Sequence, residues 1–247
     1  GDHTLDETLQ ALEAAGHEID HHQLDDRYDL AGEFFRWEFA VAVAGALLAV
    51  NPFDEPDVVS SKQTTRRLLE GKKEEQANSI GEIRDDAGLT LRMPISLVDE
   101  DAGLSGQLLR FFQNAGPTNY LTLMPFLYMT DDVQNALSEL ITALRAVLPL
   151  PVILNPGPRY LHSTGQLHKG GPNSGLYLII TASTDTMLAI PGEPYSFSDL
   201  NNAQASGDFL SLAALNRQVA HLDLGSSPQQ ALAAVTAEVQ LRWTESA

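Results

Sequence analysis

No cysteine occurs in the 247 residues. That absence excludes disulfides, thiolate nucleophiles and thiolate metal ligands, and it agrees with a reducing, cytoplasmic setting. Cations are scarce: 15 lysines and arginines face 33 aspartates and glutamates, a formal charge of -18. A nucleic acid would find no basic face here, so it is excluded as a partner. Long uncharged apolar runs are also missing. The main one, Phe34 to Val50, begins with Arg36 and Glu38 in it and is too short to cross a bilayer, so no membrane partner is expected. No basic segment followed by an apolar core opens the chain; we therefore expect no secretion signal and read Gly1 as the remnant of a cleaved tag. The acidic field repels small anions at long range. A phosphate site in this chain must therefore be a local pocket of backbone N–H groups, hydroxyls and a few cations.

Hydrophobic periodicity divides what is present into three stretches, 1–71, 72–115 and 116–247. In the first, Leu5 to Ala15 predicts a short helix stopped by Gly16, Glu18 to Leu24 a strand, Phe34 to Val50 a buried helix with Trp37 and its neighbouring phenylalanines in the core, and 56–70 a further helix ended by Gly71. The second is a linker or insertion, polar over 72–86, with a strand at 89–95 and a helix at 104–114. The third alternates continuous apolar strands (120–128, 151–154, 176–181, 219–224) with helices (131–147 capped by Asp131, 196–217, and 227–241 capped by Ser227). Apolar strands alternating with amphipathic helices predict an α/β fold with a doubly wound, mainly parallel sheet and helices on both faces, preceded by a helical segment. Such sheets bind ligands at the carboxyl ends of their strands, where the strand order reverses.

Two segments carry chemistry. Residues 51–62 read Asn-Pro-Phe-Asp-Glu-Pro-Asp-Val-Val-Ser-Ser-Lys. Pro52 and Pro56 stop one helix and start the next, Asp54 is placed to cap it, and Lys62 follows about two turns along. Residues 155–175 combine Arg159, His162, Ser163, Thr164, His168 and Lys169 with glycines at 157, 165, 170 and 171. Placed after a strand, this is a local excess of cations and donors suited to a phosphorylated or polyhydroxylated ligand. His17, His21 and His22 with Asp20 would alternate on a strand and face apart, so we expect no metal site. Asp85-Asp86 and Asp99-Glu100-Asp101 lack the glycine and ligand spacing of a calcium loop and read as solvated.

The first segment resembles the C-terminal lysine motif of glucose-6-phosphate isomerases, with Glu55 where the family usually has Gln and Asp57 where a small residue is common. The stretches 160–173, 35–38 and 190–197 (Ile-Pro-Gly-Glu-Pro-Tyr-Ser-Phe) are similar, in order, to the C-terminal region of transaldolase/glucose-6-phosphate isomerase fusion proteins. The resemblance implies a sugar isomerase (SIS) type of α/β fold and a part in interconverting glucose 6-phosphate and fructose 6-phosphate through ring opening and an enediol, with no cofactor and no metal. It implies Lys62 and His168 as the ring-opening pair, and Arg159, His162, Ser163, Thr164, Gln166 and Lys169 as substrate contacts. The family's general base is a Glu, and aligning Gln166 with the family's Gln puts Tyr160 in its place; Glu193, or a residue of a preceding portion or partner, is then the base. The implied partner is a sugar phosphate, with a homodimer or preceding isomerase and transaldolase domains left open. The rival expectation is a catalytically silent sugar-phosphate-binding or dimerisation domain.

Overall fold

The computed structural model describes residues 3–54, 56–71, 79–99, 101–184 and 188–246. Gly1, Glu55, Glu100 and the 72–78 portion of the expected linker lie outside them. The chain forms two compact units, Gly1–Asp54 and Glu55–Ala247. No described helix is long and apolar enough to cross a membrane.

The first unit holds α1 (His3–Ala14) and α2 (Asp29–Leu48). Gly16 ends α1 in the left-handed region, φ +88°. The strand expected at 18–24 does not form. Its alternating residues are mostly polar and bind locally: His21 Nε2 lies 3.0 Å from Glu13, and His22 pairs with Asp20 at 2.8 Å. The buried helix expected at 34–50 is helical, but it is exposed. Phe34, Phe35, Trp37 and Phe39 are all more than 60% accessible, and Gly45 is the buried residue of α2, held against Pro52. Apolar composition states what a side chain prefers, but burial needs a covering surface. Within this unit the other helix, α1, is largely polar.

The second unit is doubly wound. Its strands are β1 (Ile80–Arg84), β2 (Thr90–Pro94), β3 (Tyr120–Pro125), β4 (Val152–Leu154), β5 (Gly175–Thr181) and β6 (Gln218–Asp223), in the order β1-β2-β6-β5-β3-β4. β6, β5, β3 and β4 are parallel; β1 and β2 form a hairpin whose second strand joins β6 antiparallel. Residues read as linker from sequence thus belong to the sheet. The helices are α3 (Pro56–Leu69), α4 (Leu104–Gln113), α5 (Asp131–Val147), α6 (Gly165–Gly170), α7 (Phe197–Ala214) and α8 (Pro228–Ser246).

Each parallel strand is apolar on both faces because both are covered. On β5, Leu176, Leu178 and Ile180 join a core with α4, α5 and α8, while Tyr177 and Ile179 point to the other side, against Ala205 and Phe209 of α7. α3 and α6 pack with α7 there. The cap of α5 is Thr130, whose hydroxyl accepts from Val133 N at 3.3 Å, rather than Asp131, which is already the first helical residue. α7 begins with a full capping box between Ser196 and Asp199.

Candidate functional site

Strand order reverses beside β3: the chain moves outward to β4, then crosses back to β5 and β6. The carboxyl ends of β3, β4 and β5 therefore release the segments 126–130 and 155–164 and the one that begins at 182 along one edge, the usual place for a ligand in such a sheet. The segment after β4 is held close to it. Gly157 N donates to Pro125 O at 2.9 Å, and a Cβ on Gly157 would sit 2.5 Å from the Phe126 ring, so only glycine fits. Asn155 ties the segment's two ends, donating from Nδ2 to Thr164 Oγ1 at 3.3 Å. Between them, a 3₁₀ turn over Arg159–His162 buries Tyr160 and leaves Arg159, His162 and Ser163 exposed; Thr164 and Gln166 are half-buried.

The second half of the donor-rich stretch goes elsewhere. Residues 165–170 form α6 instead of an open loop, and His168 and Lys169 are 2% and 3% accessible. Their expected place in a solvent-facing anion pocket is therefore corrected. The glycines serve the helix end: a Cβ on Gly171 would meet Leu167 O at 2.5 Å. Arg217, entering from beneath, donates to Lys169 O and, at 2.7 Å, to Gly171 O, satisfying the orphaned carbonyls.

Under α6, Asp208 of α7 is the centre of a closed cluster. Its Oδ1 pairs with the Lys169 ammonium and its Oδ2 accepts from the Tyr160 hydroxyl. Ser61 of α3 donates to the same carboxylate at 3.5 Å. Burial, then the neighbouring carboxylate, push the Tyr160 phenol well above its ordinary value, so it stays a donor. The His168 ring lies among Tyr120, Tyr160 and Tyr177 at 5.0 to 6.5 Å. Burial, aided by Lys169 and opposed by Asp208, lowers its pKa to about 4. At neutral pH it is an uncharged imidazole. Tyr177 donates to His168 O at 3.3 Å, which makes Tyr120 the donor in the 3.0 Å bond between the two phenols.

Lys62 does not meet this cluster. Ser61 faces inward, and successive helix residues are turned by about 100°, so the adjacent Lys62 projects into solvent. Glu193 is exposed on the β5–α7 connection, with its N–H bonded to Ile190 O at 3.1 Å and the Tyr195 hydroxyl beside its carboxylate. The structure thus separates the expected site into an exposed group, Arg159, His162 and Ser163, with half-buried Thr164 beside it, and a buried one, His168 and Lys169.

Sequence reasoning missed Asp208, although it sits in the apolar row 205, 208, 209, 212 of α7, where an acid demands a partner. It also missed His221, a lone histidine in the apolar strand β6. The Thr181 hydroxyl donates to Asp223 Oδ2 at 2.8 Å, so His221 Nε2, 2.9 Å from Thr181 Oγ1, must itself carry the proton. Burial and then Arg92 depress the His221 pKa to about 4, against the pull of Asp223. Among the described residues, no three histidines or acids gather in a way that could hold a metal ion.

No family model and no curated protein matches the chain. Among solved structures, it is similar to a hypothetical protein from Thermus thermophilus, with 16% identity and a TM-score of 0.48 over 60% of this chain. The match spans 42% of that protein's chain.

Proposed function

We propose that this chain is the sugar-phosphate-binding part of an aldose–ketose isomerase of the glucose-6-phosphate isomerase type, and that on its own it binds its sugar without turning it over. The observation that carries the binding half is the exposed guanidinium, imidazole and hydroxyl of Arg159, His162 and Ser163, with half-buried Thr164 next to them, on the segment leaving β4, beside the reversal of strand order. In a chain of charge -18 this is a local concentration of donors where an α/β sheet takes its ligand. Arg159 would hold the phosphate as a fork, and the hydroxyls the sugar. Glu193 is the carboxylate that the reading assigns as base. It leaves the sheet from β5, two strands from β4 and so about 10 Å away at the root.

The lack of turnover follows from the separation of the ring-opening pair. Lys62 is solvent-exposed, whereas His168 is enclosed and its partner Lys169 is neutralised by Asp208. The test is a melting-temperature titration with fructose 6-phosphate beside a coupled assay for glucose 6-phosphate. The expected result is a saturable shift, lost in Arg159→Ala, with no turnover. No shift in the wild type, or an undiminished shift in Arg159→Ala, overturns the binding site; turnover that disappears in Lys62→Ala overturns the inactive half.

A further inference from the structure

Tyr128, on the segment leaving β3, is a side chain of the carboxyl edge that neither the core nor the phosphate contacts use. It is 88% exposed, whereas its neighbours Leu127 and Met129 pack against the core, so the ring between them is turned outward. Among the described residues no ring or polar side chain pairs with it. Its backbone, by contrast, is fixed on both sides. Phe126 N donates to Ile180 O at 2.7 Å, Asn201 Nδ2 donates to Phe126 O at 2.8 Å, and Thr130, the cap of α5, donates from its N–H to Tyr128 O at 3.0 Å. The segment is also bound to the one that carries Arg159, His162 and Ser163. β3 and β4 are neighbours in register, Leu123 beside Leu154, so the two segments start about 5 Å apart. Gly157 N donates to Pro125 O, and the Phe126 ring meets Tyr160 edge-on at 5.9 Å. Tyr128 follows one partner of that ring contact by two residues, and Arg159 and His162 flank the other.

We propose that Tyr128 is the platform on which the sugar ring of the bound phosphate ester lies, and that it makes this edge selective for a closed-ring sugar over an open-chain one. The proposal rests on the sugar-phosphate reading of the edge and adds to it the form of the sugar that is bound. Arg159, His162 and Ser163 recognise a phosphate and hydroxyls, and a cyclic hexose phosphate shares both with an open-chain hexitol phosphate. What the ring adds is a pair of C–H faces, with the hydroxyls set around its rim. An aromatic side chain offers a large, rigid apolar surface with a negative face, which such C–H groups contact favourably, while the tyrosine hydroxyl stays in water. The exposure of Tyr128 leaves that face open to a ligand, and its fixed backbone limits the ordering that binding must impose. Closed-ring selection also agrees with the separation of Lys62 from His168, the pair expected to open the ring.

The experiment is a calorimetric titration of the whole chain with glucose 6-phosphate and with its open-chain reduction product, sorbitol 6-phosphate, in the wild type, Tyr128→Ala and Tyr128→Phe. The wild type should prefer glucose 6-phosphate. Tyr128→Ala should weaken that ligand by about two- to tenfold, the worth of one aromatic contact, and leave sorbitol 6-phosphate unchanged. Tyr128→Phe should keep the wild-type affinity for both. At so exposed a position the melting temperature should stay where it is, so that lost affinity is not lost fold. Tyr128→Ala binding glucose 6-phosphate as the wild type does, or losing both esters equally, overturns the platform, and a Phe variant as weak as the Ala one overturns ring stacking. Binding lost in Arg159→Ala but kept in Tyr128→Ala overturns the platform alone, whereas a wild type that binds neither ester overturns the sugar-phosphate reading and the platform together.

Discussion

Removing the Asp208 carboxylate should be the most damaging single change to the second unit. In Asp208→Ala the Lys169 ammonium, whose side chain is 1% accessible, loses its counter-charge, and the buried Tyr160 hydroxyl loses its acceptor. Breaking one side of a buried ion pair costs about 3–5 kcal/mol, and an unsatisfied buried hydroxyl about 1–3 kcal/mol. The two losses share one carboxylate and do not simply add, so a total of about 4 kcal/mol is expected. For a unit of this size that corresponds to a melting temperature lower by roughly 8–16 °C. Urea unfolding followed by circular dichroism, beside a thermal melt, measures both quantities. The decisive comparison is the double variant Asp208→Leu with Lys169→Met, which removes the pair as a whole. Replacing a buried pair with apolar side chains of similar volume is often neutral or stabilising, so the double variant should recover at least half of the loss. A cost below about 1 kcal/mol for Asp208→Ala, or a double variant no more stable than the single one, would refute the assignment of Asp208 as the hub holding α6, α7 and α3 together.

Three further outcomes are expected. His221 titrates near 4 when folded but near 6.5 when unfolded, so the unfolded chain takes the proton first as pH falls; stability is complete above 6.5 and declines toward 4, by about 3 kcal/mol for this residue. Urea midpoints at pH 7 and pH 4.5 should differ less in His221→Gln than in the wild type, and an identical difference would disprove the contribution; buried His168 acts in the same direction. Gly207→Ala should destabilise the α3–α7 contact, since the added Cβ would meet Thr65 Oγ1 at 2.8 Å and Thr65 N at 3.1 Å. An overpacking cost of about 1–3 kcal/mol then outweighs the gain of about 1 kcal/mol in helix propensity, and a raised melting temperature would contradict it. Fructose 6-phosphate should bind more tightly at 150 mM salt than at 10 mM, because salt screens the acidic field of a chain of charge -18; calorimetry at the two ionic strengths checks the sign, and weaker binding at 150 mM would contradict it.

The accessible and buried halves of the donor-rich stretch show where sequence reasoning holds and where it stops. Arg159, His162, Ser163 and Thr164 were legible because a polar, glycine-rich run directly after an apolar strand lies at that strand's carboxyl end whatever the neighbouring elements do. His168 and Lys169, four and five residues beyond Thr164, look equally polar in sequence. Their burial depends on Asp208, about forty residues later, and on Arg217 reaching the end of α6. The two members of a buried ion pair carry no local mark of each other. Lys62 illustrates the same limit on a helix, where a turn of one residue decides between the Asp208 cluster and water.

The alternation of apolar strands and amphipathic helices from Tyr120 onward determined by itself the parallel, doubly wound sheet and the edge at which a ligand would approach, because periodicity is a property of each segment alone. The lack of cysteine did the same for disulfides and thiolate chemistry. The tertiary structure alone decided that the β1–β2 hairpin extends this sheet through β6, that α2 keeps its aromatic side chains exposed, and that one carboxylate of α7 claims the ammonium of α6. Each of these depends on which surface meets which, and strand pairing, covering area and counter-charge are supplied by residues far away in the chain.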